Sequence, residues 1–276
     1  MTQPRLAQPQ LAQPRLTQPR LTARGVLAGE WTKFGSLRST WITLGVSALF
    51  LLAIGLIAAA SFTPGTGRGV AADRPMDAVG IALAGTTFAA LAVGVLGVLL
   101  SAGEYTTGMI RATLTAVPTR LPVLWAKSLI AGGVALVLMA VGALVSFLLG
   151  SALLRAGVTA LGLGDDGVLR SLAGAGLYLG LVAVFGVGLG MLVRSSAGGI
   201  AILAGTLLIL PGVIGLLPDS WSTAISPYLP SNAGEAVMRL HPGGGSLSPA
   251  VGLAVFAGYV AVILAAAAVR LRKSDA

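Results

Sequence analysis

One histidine, no cysteine, and nine Asp and Glu against eighteen Lys and Arg leave this 276-residue chain few routes to chemistry. His241 stands before Pro242 with no His or Cys companion, so it reads as a solvated loop histidine and not as a metal ligand. Ser195 and Ser196 follow Arg194, but the topology below puts His241 on the other side of a membrane, where it cannot act as their base. There is no thiol for a disulfide or a Cys nucleophile. There is also no G-x-x-x-x-G-K-[ST] phosphate loop, so the chain carries no nucleotide engine and is not expected to be an enzyme. The remaining chemistry is charge placement. Glu104 and Arg111, seven residues apart, are expected nearly on the same helix face.

The elements that would position such charges follow from composition. The chain is 55% hydrophobic and only 10% charged, with a mean hydropathy of +0.91, more apolar side chain than a soluble domain can bury. Apart from charged residues and His241, six long intervals are uninterrupted: Ser39 to Gly67, Ala78 to Gly103, Ser128 to Leu154, Ser171 to Val193, Ser195 to Pro218 and Pro242 to Val269. Each holds the roughly 20 residues that a helix needs to cross a hydrocarbon core of about 30 Å. These intervals predict an all-α membrane protein, a six-helix transmembrane bundle over 39–270, with spans near 41–62, 79–101, 128–150, 171–193, 198–217 and 249–269.

Lys and Arg set the orientation, because basic loops are retained in the cytoplasm. One side collects Arg5, Arg15, Arg20, Arg24, Lys33, Arg38, Arg111, Arg120, Lys127, Arg194, Arg270, Arg272 and Lys273. The other has only Arg68, Arg74, Arg155, Arg170 and Arg239, beside six Asp and Glu. Both termini are therefore expected in the cytoplasm, 271–276 as a short tail. The net charge of +9 is spread over tails and loops instead of one soluble face, which argues against nucleic acid as a partner.

Residues 1–22 repeat a five-residue unit, QPRLA, QPQLA, QPRLT, QPRLT, and a Pro at every fifth position stops a helix from propagating. A disordered, polyproline-like tail is expected, either a plain solvated extension or a weak attraction to anionic membrane lipid. Ala58-Ala59-Ala60 resembles a cleavage site, but the apolar run before it exceeds the usual signal core, so an uncleaved span is expected. Over 23–38, Val26, Leu27, Trp31, Phe34 and Leu37 approximate the helical period, with Arg24, Glu30, Lys33 and Arg38 largely on other faces. That pattern fits an amphipathic helix on the membrane surface, with Trp31 and Trp41 at the headgroups, or a plain basic anchor for the first span.

Of the 39 glycines, Gly176 with Gly180 and Gly186 with Gly190 form two pairs at four-residue spacing in the fourth span. They predict a narrow groove along one helix face for close packing, within the chain or between two chains. Pro211-Gly212 removes a backbone donor in the fifth span and predicts a kink there.

The most specific stretch joins the second and third spans: EYTTGMIRATLTAVPTR from Glu104 to Arg120, then LPVLWAK to Lys127. Tyr105, Met109 and Ala112 to Ala116 offer an apolar strip, and Pro118 stops the helix. A short amphipathic helix held between two spans suits docking into a groove of a soluble partner and passing on a rigid-body push.

At Glu104, Gly108, Ile110-Arg111, Leu114, Pro118, Arg120 and Lys127 the chain resembles the permease subunits of ABC-2 type transporters, particularly actinobacterial ones. Glu30-Trp31-Thr32-Lys33 through Arg38-Ser39 is similar to that family's elbow helix, and Tyr228 to Gly234 to its last external loop. The likeness runs from about residue 22 onward and leaves out the repeat tail. It implies a passage built from two permease subunits, alike or different, in the cell membrane. A separate ATPase subunit would bind ATP and magnesium and drive transport, export in direction, while this chain binds no cofactor. Glu104 would orient the mouth of the second span, Arg111 would contact Glu104 or the ATPase, and Pro118 would end the coupling helix. Glu104 as a simple capping or interfacial carboxylate stays open. So does a different class of function, a membrane scaffold or immunity protein that transports nothing. A secondary carrier is disfavoured, since no ionisable residue falls inside a predicted span.

Overall fold

The structure is a computed structural model and describes residues 22–62, 77–117, 119–154, 161–240 and 245–273. The repeat tail up to residue 21, Pro118 and His241 lie outside them. Of the described residues 85% are helical and none is in a strand. Six helices are long and apolar enough to cross a membrane, which marks a multi-pass membrane protein.

Helix α1 (Ala23–Ser36) starts at Thr22, whose hydroxyl accepts the Gly25 N–H at 3.2 Å. It ends at Leu37, an extended residue that turns the chain into α2 (Arg38–Ser61), the first span. The second expected span is divided. A short α3 (Ala78–Ala82), capped by Asp77, breaks at 83–85 before α4 (Thr86–Thr106). The break follows α2, whose backbone passes so close that a Cβ on Gly85 would collide with the Phe50 carbonyl oxygen. At its other end α4 continues past the expected limit of 101 and carries Glu104 and Tyr105 in regular helix.

A one-turn joint leads to α5 (Met109–Ala116), and then to α6 (Leu121–Leu153). With 33 residues, α6 is about 50 Å long and starts seven residues before the expected 128, so Lys127 is part of the helix. The fourth span is α7 (Val168–Val193), the most enclosed helix, with 72% of its apolar window buried. The fifth, Ser196–Ile214, comprises α8 (Ser196–Ala204), a widened π turn (Gly205–Ile209) and α9 (Leu210–Ile214). The irregularity sits just before Pro211, which cannot donate to the carbonyl one turn back, and Leu210 N–H reaches Gly205 instead. Two further short helices, α10 (Asp219–Ile225) and α11 (Pro230–Glu235), precede α12 (Pro249–Lys273), which runs helical three residues into the expected tail.

The glycine pairs of α7 do not share one groove, a correction to the expectation. A Cβ on Gly176 would lie 2.5 Å from Ala140 and one on Gly180 2.9 Å from the Gly132 carbonyl oxygen, so this pair faces α6. Gly186 meets the Gly94 carbonyl, and Gly190 would put a Cβ 2.6 Å from the Val98 carbonyl oxygen, so this pair faces α4. Ten residues advance a helix by about 1,000°, which leaves the two pairs roughly 80° apart around the axis. Both grooves are filled from within the chain.

Candidate functional site

Four charges converge where α1, α4, α5 and α6 meet. On α1 the buried residues are Val26, Glu30 and Phe34, four apart and so nearly in line, and this stripe packs against α6. Glu30 therefore belongs to the buried face, whereas the sequence pattern had put it on another. Leu27, Trp31 and Leu37, expected on the apolar face with Val26 and Phe34, are exposed. An acid is admitted among apolar residues here because Lys127 of α6 comes to meet it.

The Lys127 ammonium donates to Glu30 Oε2 at 2.7 Å and to Glu104 Oε1 at 2.9 Å. Lys33 donates to Glu30 Oε1 at 2.7 Å, to Glu104 Oε1 at 3.0 Å and to Thr113 Oγ1 of α5 at 2.9 Å. Two carboxylates and two ammonium groups thus alternate in a closed, neutral ring. Glu30, Glu104 and Lys127 are each at most 6% exposed, and Lys33, at 29%, is the member that reaches solvent. Burial opposes ionisation of Glu30, but Lys127 and Lys33 outweigh it and hold the carboxyl below its usual 4.5. Burial likewise works against the Lys33 ammonium, and its bonds to Glu30 and Glu104 overcome this and raise it above the usual 10.5.

Such a ring adds little net stability over a hydrophobic cluster of equal volume, because desolvation offsets most of the attraction. Removing one member, however, strands a charge in the interior at a cost of about 3–5 kcal/mol. The ring therefore acts mainly to fix how four elements sit against one another.

The second correction concerns Arg111. Gly108 adopts a left-handed conformation (φ 73°), which ends α4 and starts α5 in a new direction. Glu104 and Arg111 are thus not on one helix. Glu104 is answered by Lys33 and Lys127, while Arg111 is exposed on α5. The buried side of α5 consists of Ile110, Thr113 and Leu114; of the expected strip, Thr113 and Leu114 lie on it, whereas Met109, Ala112, Thr115 and Ala116 are exposed. Arg120 lies outside the ring and donates to the Leu271 carbonyl of α12 at 3.2 Å.

Sequence reasoning singled out Glu30, Lys33, Glu104 and Lys127 in separate motifs without joining them, and it counted Thr113 only as part of an apolar strip. The available signal was that two acids and two lysines flank apolar blocks at the same predicted end of the bundle. Tyr105, the neighbour of Glu104, was expected on the apolar strip with Met109, but it belongs to α4. Tyr105 points to the α7–α8 corner, where the Arg194 guanidinium lies 5.0 Å from its ring centre and its hydroxyl meets Met191 Sδ at 3.7 Å. Arg194 itself is left-handed (φ 62°) and caps α7, and Arg270 of α12 donates to the Leu192 carbonyl beside it. Consecutive residues of α4 thus engage α1 and α6 on one side and α7 on the other. Aromatic contacts stiffen the α1–α2 corner: Trp31 stacks on Phe34, whose ring meets Trp41 edge-on, each at 6.1 Å.

Between the fifth and sixth spans, Tyr228 to Gly234 packs on the bundle. Asn232 Nδ2 donates to the Ser226 carbonyl at 2.8 Å, and Gly234 lies against the Tyr178 ring, where a larger residue would clash. Arg170 ties the end of this segment to α7 through the Arg239 carbonyl at 3.0 Å.

Compared with known proteins, the chain matches no family model and no curated sequence.

Proposed function

We propose that this chain is the permease subunit of an ABC-2 type exporter, seated in the cell membrane with both termini in the cytoplasm. In this reading α1 is the elbow helix on the inner leaflet, α5 is the coupling helix, and the spans form the pathway with a second permease subunit. A separate ATPase subunit supplies ATP and magnesium chemistry, and this chain performs none.

The observation that carries the proposal is the charge ring. A push delivered to the outward side of α5, where Arg111, Ala112, Thr115 and Ala116 are exposed, passes through the joint at Gly108 and the Lys33–Thr113 bond into the ring. From there it reaches α1, α4 and α6 together, because a buried ion-pair set moves as a unit or is broken at high cost. Tyr105 extends the same movement to Arg194 and α7. The arrangement is that of a transmission, which fits a chain that lacks a nucleotide site of its own.

The test is to purify the protein from its native membrane and identify what accompanies it. The proposal expects a P-loop ATPase, and in reconstituted vesicles an ATP hydrolysis rate that rises with the permease and moves a solute. A scaffold or immunity protein would hold partners without stimulating hydrolysis. Absence of an ATPase from every preparation that retains the intact protein would overturn the reading.

A further inference from the structure

The charge ring balances one side of its end of the bundle and leaves the other side positive. Of the nine Asp and Glu in the sequence, only Glu30, Glu104 and Asp275 belong to this end by chain order, and the ring takes the first two. Where α6, α7 and α12 meet, Arg120, Arg194, Arg270, Arg272 and Lys273 bring five positive charges, an excess that remains if Asp275 answers one of them. Arg120 donates to the Leu271 carbonyl and Arg270 to the Leu192 carbonyl, which ties the last turn of α12 to the start of α6 and the end of α7. Arg194 follows two residues after Leu192, and the positive charges of Arg194 and Arg270 both bear on the Tyr105 hydroxyl. Like charges are thus held together by the fold at this corner.

Helix α12 gives that charge a shape. Val262, Val269 and Lys273 lie within about 20° of one line along the helix, and Arg270 and Arg272 stand about 80° to either side of it. Val262 is 67% exposed and Val269 51%, whereas Val260, Leu264, Ala267 and Leu271 on the opposite side are buried. Arg270 lies about 32 Å along α12 from Pro249, which is the thickness of a hydrocarbon core. Helical side chains lean toward the N-terminus, so Arg270, Arg272 and Lys273, all exposed, reach back to the foot of the apolar stripe.

We propose that the last turn of α12, with Arg194 beside it, binds the phosphate of an anionic phospholipid whose acyl chain lies along Val262 and Val269. A phosphodiester with no ammonium in its own headgroup supplies the negative charge that this corner lacks, and guanidinium groups match phosphate oxygens with paired N–H donors. Arg270 is already fixed by the Leu192 carbonyl, so less side-chain freedom is lost on binding. A free phosphate meets only cations that salt screens, whereas a lipid arrives on the apolar stripe and stays there. Basic clusters between spans at this level of a bilayer recognise lipid headgroups in the same way. The site does not depend on the transporter reading, because lipid binding can be measured with no ATPase present.

The experiment uses the full chain in nanodiscs of phosphatidylcholine with a small fraction of phosphatidylglycerol that carries a diazirine on its acyl chain, and adducts are mapped by peptide mass spectrometry. Saturable labelling is expected on 259–273. It should weaken about thirtyfold in Arg270→Gln combined with Arg272→Gln. Because Arg270 also ties α12 to α7, Lys273→Gln serves as the second variant; it removes one exposed cation from the end of the helix and should weaken labelling about fivefold in protein of unchanged elution volume. Arg24→Gln combined with Arg38→Gln removes two charges from exposed positions on α1 and α2 and should leave the label as it was. The same diazirine on phosphatidylcholine should label 259–273 no more than the rest of the lipid-facing surface. Equal saturable labelling by the phosphatidylcholine probe, an equal loss in the Arg24 and Arg38 pair, or a label untouched by Lys273→Gln would overturn the site. Displacement of the label by soluble glycerol phosphate would mark a site for a free anion and would overturn the lipid as its occupant.

Discussion

Glu30 and Lys127 are 97 positions apart in the chain and 2.7 Å apart in space, and both are almost fully buried. No local pattern joins them. One lies on a helix that precedes the first span and the other in the opening turns of the third, so their contact closes the end of the bundle over α4. The energetics of such a pair are asymmetric. The pair as a whole is nearly neutral against apolar substitutes, while each half alone is a liability.

Lys127→Met should therefore destabilise the protein by about 3–5 kcal/mol, since Glu30 loses its inner partner and Glu104 one of its two. Lys127→Met combined with Glu30→Leu should be more stable than the Lys127→Met single variant, because Lys33 and Glu104 remain as a balanced pair. Thermal unfolding in detergent measures both. Additive losses in the double variant would show that the two residues are not coupled.

The ring also predicts a pH profile. Glu30 titrates below its usual 4.5 in the folded protein, so its contribution is complete above that value and is lost as pH falls through the folded value. Lys33 titrates above its usual 10.5, so its contribution is complete below that value and is lost as pH rises through the folded one. Between the two, stability from this pair should be flat. A melting series from acid to alkaline buffer should show the acid limb weakened in Glu30→Gln, and an unchanged limb would remove Glu30 as its source.

Gly186→Ala places a methyl against the Gly94 carbonyl of α4, backbone against backbone, where neither side can yield cheaply. Overpacking of this kind costs about 1–3 kcal/mol. Gly133→Ala is the control, because nothing lies within 4 Å of the added carbon. A melting temperature that drops in the first variant only is the expected result, and equal behaviour of the two would contradict the tight α4–α7 contact.

Arg111→Glu tests the exposed side of α5. The residue lies outside the ring, so stability should change by no more than about 0.5 kcal/mol. If α5 docks on an ATPase as proposed, the yield of the complex should fall while insertion and melting stay normal. An unchanged yield would take Arg111 out of the contact.

The spans were legible because apolar length is a property of contiguous residues, and all six apolar intervals contain a long helix. Helix faces were less legible. Glu30 was assigned to another face than Val26 and Phe34 although the three are nearly in line, since an acid is normally assigned to water and its lysine lay far along the chain. Glu104 and Arg111 were aligned by counting through Gly108, whose left-handed turn restarts the helical phase. The glycine pairs of α7 were set on one groove by like spacing, whereas the ten-residue offset turns them toward different helices. The break at 83–85 is imposed by the α2 backbone and leaves no mark in the hydropathy of the interval. For Glu30 and for the break at 83–85 the missing information lay in a partner distant in sequence.

The alternating charges of the ring sum to zero, and this affects how the protein responds to voltage. A single elementary charge moved across a membrane potential gains or loses about 2.3 kcal/mol per 100 mV. Glu30, Lys33, Glu104 and Lys127 shifted together along the membrane normal do no net electrical work at any potential. The four ring charges therefore add no voltage dependence of their own to a movement that carries them together.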